Sequence, residues 1–241
     1  QIVGRIQHFI GRKAMDIEGM GDETVETFYR YGLLRDITDI YTLKDKQDRL
    51  IQLERFGRKS IDNMLAGIEK SKEKPFEKVL FALGIRYVGE TVAKKLAAHF
   101  KNIDALAAAT REEIESVHEI GERIAESVQA YFADPKHRDQ LVRLKESGLN
   151  LAAEEQPIEP LGDALAGKSF VISGVFEQFS REELSALIVG HGGKLLSGIS
   201  GKLDYLVAGD KMGPSKLAKA EKLGIPIISE HDLLRMIGGE G

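Results

Sequence analysis

Cysteine and tryptophan are both absent from the 241 residues, and aromatic side chains make up only 7%. Without cysteine there can be no disulfide and no thiolate-ligated metal. The six histidines are scattered without ligand spacing, so neither a metal site nor a catalytic site is expected. No stretch approaches the roughly 18 consecutive apolar residues of a membrane helix, which predicts no membrane partner. No secretory leader is legible, because Arg5, Arg12 and Lys13 interrupt short apolar runs, and a cytoplasmic, reducing compartment is expected.

What is present is a chain that is 42% apolar, enough for a substantial core in one or two domains. The net charge of -4 argues on its face against nucleic acid. Its distribution argues otherwise. Leu53 to Lys101 holds eleven Lys and Arg against six Asp and Glu, a local net of +5. Such a segment either faces a polyanion or is a solvated helix surface, and charge alone does not choose.

The stretch "NLAAEEQPIEPLGDA", residues 150–164, has two prolines, three glutamates and no sustained period, and reads as a linker. Before it, "DNMLAGIEKSKE", "TVAKKLAAHF" and "ERIAESVQAYF" repeat apolar residues at helical steps of three or four. After it, short β-branched runs, "KSFVISG", "DYLVAG" and "IPIIS", alternate with helical segments. The expected fold is therefore multidomain: an all-α domain over 1–149 and a small α/β domain over 165–241 with a mostly parallel sheet.

The helical part repeats. "IEGMGDETV", "LERFGRKSI", "IRYVGETVA" and "VHEIGERIA" align on Gly21, Gly57, Gly89 and Gly121, spaced 36, 32 and 32 residues apart. Each unit reads as helix, short turn, helix. The apolar residue before each glycine (Met20, Phe56, Val88, Ile120) is expected to point inward and lock the two helices together. The glycine is expected to supply a backbone conformation that other residues resist, and to remove a side chain where something approaches closely. The helix that follows offers unpaired amides and the positive end of its dipole, an arrangement suited to an anion. A single such unit reads more readily as a plain helical hairpin; four at near-constant spacing point to binding. Gly57 is followed by Arg58, Lys59 and Ser60, whereas the other three glycines are followed by acids, and His118 and Glu119 precede the last tip. The second unit is thus expected to hold phosphate best and the fourth least.

These units resemble the helix-hairpin-helix motif, which in its family grips both DNA strands by the backbone phosphates across the minor groove without reading sequence. The resemblance implies DNA contacts at Gly19, Gly21, Arg55, Gly57, Arg58, Lys59, Ser60, Arg86, Gly89, Thr91 and Gly121. The second domain resembles a BRCT domain, through Ser173-Gly174 after the first strand, Gly192-Gly193, "DYLVAG" and "SKLAKAEKLGIPIIS". That likeness implies a mostly parallel four-stranded sheet and a phosphate site at Ser173, Gly174 and Lys216; the alternative for the site is that Ser173 caps a turn and Lys216 is a solvated helix residue. Many BRCT domains carry a tryptophan in the last helix, and this chain has none.

Two longer stretches, "HFIGRKAMDIEGMG" and "LFALGIRYVGETVAKKLAAHF", look like bacterial NAD-dependent DNA ligases, and the order of modules matches their C-terminal part. The family implies NAD, Mg and Zn for a full-length enzyme, none of them in this stretch. It also implies nicked duplex DNA and the missing N-terminal ligase domains as partners, for a monomer acting in replication and repair. The adenylation motif Lys-x-Asp-Gly is missing: "KLDY" at Lys202–Tyr205 lacks the glycine. "GDKMGPSK" does not fit a P-loop, since its lysine does not directly follow the second glycine. No ligation is expected from this stretch alone. Two alternatives combine the same modules: a non-enzymatic repair scaffold with a phosphate- or protein-binding BRCT domain, and an X-family polymerase, for which no carboxylate cluster is found.

Overall fold

A computed structural model describes residues 1–154 and 159–238. The chain divides into two compact units, one of residues Gln1–Ile103 and Ser127–Ala153, the other of Asp104–Glu126 and the chain from Glu154 onward. The predicted linker lies partly outside the described residues, at 155–158. Its described ends are held. Asn102 and Ala152 form an antiparallel bridge, with the Ile103 amide donating to the Leu151 carbonyl at 2.9 Å. At the other end, the Leu161 amide donates to the Gly190 carbonyl at 2.7 Å and Leu165 is fully buried.

The first unit is helical. It contains α1 (Ile2–Ile10), α2 (Asp22–Arg30), a 3-10 helix (Ile37–Lys46), α3 (Gln47–Ile51), α4 (Arg58–Ser71), α5 (Phe76–Ala82) and α6 (Glu90–Phe100). After α7 (Ile103–Ala107) and α8 (Arg111–Glu115), the chain re-enters this unit along α9 (Glu122–Ala133) and continues in α10 (Pro135–Glu146). Apolar residues three and four apart bury one stripe of each helix, for example Ile61, Met64 and Ile68 of α4. Phe9, Phe28, Phe76, Phe100, Met15 and Leu50 are almost wholly buried, and each contributes about 1.5–3 kcal/mol by leaving water.

The second unit carries strands β1 (Ser169–Ser173), β2 (Lys194–Leu195), β3 (Tyr205–Ala208) and β4 (Ile227–Ile228) in the order β2-β1-β3-β4. All pairings are parallel, with Phe170 opposite Leu195 and Tyr205, and Val207 opposite Ile228. Helices α11 (Arg181–Gly190), α12 (Pro214–Lys222) and α13 (Glu230–Met236) complete it. The period-2 alternation of the strands builds two cores. Phe170, Ile172 and Val207 pack with Leu184, Ile188 and Leu233 on one face, while Val171 and Leu206 pack with Leu203, Ala220 and Ile225 on the other.

Candidate nucleic-acid interface

The four repeats form the predicted hairpins. α1 and α2, α3 and α4, α5 and α6, and α8 and α9 flank turns that end at Gly21, Gly57, Gly89 and Gly121. The first three turns lie in the helical unit; the fourth belongs to the second unit. The tip residues Met20, Val88 and Ile120 are buried as expected, while Phe56 is half-buried and packs at 5.2 Å from the Phe28 ring. In the last three turns the tip amide donates to the carbonyl three residues back, at 3.0–3.2 Å.

The expected role of the glycines needs correction. Gly21, Gly57 and Gly89 are extended, with φ of -98°, -86° and -83°, a backbone that any residue adopts. The left-handed residue of each turn lies two positions earlier: Gly19 (φ 84°), Arg55 (73°), Tyr87 (68°) and Glu119 (65°). Gly19 is glycine for an internal reason, since a Cβ there would also sit 3.0 Å from the Met64 Cα of α4. The Glu18 carbonyl meanwhile lies against Gly67, where a Cβ would come within 2.3 Å of it. The first turn thus rests on the second helix of the second repeat. The third turn rests on α9 in a comparable way, with Ser127 Oγ donating to the Arg86 carbonyl at 2.5 Å.

A Cβ added at Gly21, Gly57, Gly89 or Gly121 meets nothing within 4 Å. Neither backbone strain nor packing within the chain therefore requires glycine at these positions. Each precedes a helix, and α2, α4 and α6 begin without a side-chain cap. Elsewhere in the chain Thr110, Asp134, Ser180 and Ser229 cap α8, α10, α11 and α13 with side-chain oxygens. The first amides of α2, α4 and α6 thus have no side-chain acceptor at the cap position.

Every hairpin residue singled out in the sequence is exposed: Gly19, Gly21, Arg55, Gly57, Arg58, Lys59, Ser60, Arg86, Gly89, Thr91 and Gly121. Arg58 pairs with Asp62 at 3.4 Å on the surface. The Arg86 guanidinium stands 5.0 Å from the centre of the exposed Tyr87 ring. In the third repeat Glu90 is paired with Lys78 at 3.6 Å. In the fourth, Glu122 is bound by Arg111, which also pairs with Glu115 at 2.9 Å and Glu126 at 3.1 Å. These carboxylates, Glu115 first, hold the Arg111 pKa above its ordinary value, so its charge is committed within the chain.

The BRCT-like residues converge on a different anion. Ser173 is fully buried at the end of β1, and its Oγ lies 3.4 Å from Lys216 Nζ and 3.4 Å from Glu113 Oε1. Glu113 comes from α8, a residue that the sequence reading did not single out. Gly174 has φ 96°, and a Cβ there would sit 2.8 Å from the Gly209 carbonyl carbon, so packing inside the domain already requires glycine. Among the described residues no group of three His, Cys, Asp or Glu side chains could hold a metal ion, and no helix is long and apolar enough to cross a membrane.

The hairpins and the parallel sheet define a two-module chain. A helix-hairpin-helix motif model matches residues 78–141, and a BRCA1 C Terminus (BRCT) domain model matches residues 160–237. Proteins named DNA ligase from Phocaeicola vulgatus and Christiangramia forsetii are each 56% identical over 237 residues, covering 98% of this chain and 35% of the relative. One from Roseiflexus is 48% identical over 238 residues, 99% of this chain and 32% of the relative. The chain belongs to the DNA ligase family as a C-terminal portion, and it spans about a third of the length of the relatives it matches.

Proposed function

We propose that this chain is the duplex-gripping part of an NAD-dependent DNA ligase, holding nicked DNA by its backbone phosphates while other parts of the protein do the chemistry. The observation that carries the reading is the set of four exposed glycines, each with open space where a side chain would stand and each ahead of a helix. A residue that the fold does not require to be glycine is explained by the close approach of something outside it. Unpaired amides at the positive end of a helix suit a phosphate there, and amides cannot tell one base from another. Arg55, Arg58, Lys59 and Arg86 add charge beside them.

The residues here do not fit an adenylation site. Lys202–Tyr205 reads Lys-Leu-Asp-Tyr and leads into β3. On this reading NAD, Mg and Zn belong to the part of the relatives that this chain does not span, and the chain's contribution is orientation of the two DNA ends.

The test is fluorescence anisotropy of the full chain with nicked and intact duplexes of identical sequence, and with a duplex of permuted sequence. Permutation is expected to change affinity by less than about threefold, and the nicked duplex to bind at least as tightly as the intact one. Affinity that collapses on permutation, or no duplex binding even at low salt, overturns the reading.

A further inference from the structure

Tyr87 is a costly residue where it stands. Its backbone is left-handed, with φ 68°, a conformation in which a bulky side chain is strained. The residue also keeps 45% of its surface in water. Glycine would make the same turn without strain, as Gly19 does in the first hairpin. Of the four equivalent positions, Gly19, Arg55, Tyr87 and Glu119, only this one carries an aromatic ring. Strain kept at an exposed position points to a use outside the fold.

The surrounding chain fixes Tyr87 and does not relieve it. Ahead of it, Ser127 Oγ donates to the Arg86 carbonyl at 2.5 Å. Behind it, Val88 is buried and its amide donates to the Ile85 carbonyl at 3.0 Å. The Arg86 guanidinium lies 5.0 Å from the ring centre, a cation–π arrangement that sets a charge beside the aromatic surface. The third hairpin therefore offers a cation and part of a flat apolar ring together, on a backbone that need not rearrange to use them.

A duplex strand alternates phosphates with sugars. Gly89 follows Tyr87 by two residues, about 7 Å of extended chain at most, and opens α6 with space beside it. A phosphate held at that point has its own sugar within reach of the ring. Deoxyribose presents only C–H at its 2′ carbon, which suits an aromatic face. Ribose presents a hydroxyl there, a donor and an acceptor. A hydroxyl pressed against a ring gives up water without gaining a partner, which weakens binding.

We propose that Tyr87 makes the third hairpin select deoxyribose over ribose, its ring lying on a sugar of the strand whose phosphate meets the start of α6. The inference rests on the duplex-gripping reading and deepens it: amides and arginines hold a DNA or an RNA backbone alike, and the ring chooses between them.

The test is fluorescence anisotropy of the full chain at low salt with three duplexes of one sequence. Both strands are all deoxyribose, all ribose, or all 2′-deoxy-2′-fluororibose. The fluoro duplex shares the A-like shape of RNA but has no 2′ hydroxyl, so the ratio of fluoro to ribose affinity isolates the hydroxyl from helix shape. In wild type the fluoro duplex is expected to bind about tenfold or more tightly than the ribose duplex, and Tyr87→Phe is expected to keep that ratio. In Tyr87→Gly the two are expected to bind within about threefold of each other. The melting temperature should not fall in that variant, because glycine takes the left-handed backbone without strain. A ratio near one in wild type, or the same ratio in wild type and Tyr87→Gly, overturns the proposal. Should Tyr87→Gly not fold, Tyr87→Asn, which tolerates this backbone, takes its place under the same criteria. No binding to any of the three duplexes instead overturns the duplex-gripping reading, and this inference with it.

Discussion

At the scale of single residues, the hairpin turns separate two uses of glycine that look alike in sequence. Gly19 is needed by the fold, through its left-handed backbone and the Met64 Cα 3.0 Å from a would-be Cβ. Gly57 is not, since its backbone is ordinary and the space beside it is open. Gly19→Ala is therefore expected to lower stability by about 1–2 kcal/mol, read by denaturant titration. Gly57→Ser is expected to leave stability within about 0.5 kcal/mol, because serine is itself a good helix cap. On the proposed reading it should nonetheless weaken duplex binding about tenfold or more, since its hydroxyl would take a free amide and its Cβ would stand where a phosphate approaches. Full affinity in a folded Gly57→Ser protein would mean that the hairpin glycines have no role in binding. Lys59 is exposed and makes no ion pair among the described residues. Lys59→Ala should reduce the slope of log K against log salt by about 1 without changing the melting temperature.

At the scale of elements, the tip residue joins the two helices of a hairpin. Val88 is buried between α5 and α6, and its amide bonds the Ile85 carbonyl at 3.0 Å. Val88→Ser should cost roughly 1–3 kcal/mol of stability by thermal or urea unfolding, through lost apolar burial. A change below a few tenths would show that the tip is not a packing element. The repeats should also differ. Glu122 opens α9, and Arg111 beside it is already shared among three carboxylates, whereas Arg58 and Lys59 open α4. Gly121→Ser should thus cost less duplex affinity than Gly57→Ser, and the reverse order in the same anisotropy assay would overturn the ranking. The period of the tips and glycines was legible because each turn needs an inward apolar residue at a fixed distance from a helix start. The alternation of short strands with helices was legible for a similar local reason. The left-handed residues were not, because Arg55, Tyr87 and Glu119 carry no common chemistry; the surrounding turn imposes their backbone. Glu113 was invisible for a different reason. It read as one acid on a short amphipathic helix, and its partners lie 60 residues or more along the chain.

At the scale of the whole molecule, the net charge of -4 means that any attraction to DNA has to come from a minority of basic surface such as Leu53–Lys101. Binding should be steeply salt-dependent as a result. If about four to eight phosphates are engaged, log K should fall with log salt at a slope of about -4 to -7, and a slope shallower than about -2 would exclude a phosphate grip of that size. The discontinuity of the second compact unit bears on how the protein is made. Asp104–Glu126 leaves the ribosome before Ser127–Ala153, yet its packing partners follow later still. Glu113 is synthesised 103 residues ahead of Lys216. At about 5–20 residues per second, α8 spends roughly 5–20 s in the nascent chain without its pocket. During that interval its carboxylate stays in water, and the segment has to wait for the last quarter of the chain before it can settle.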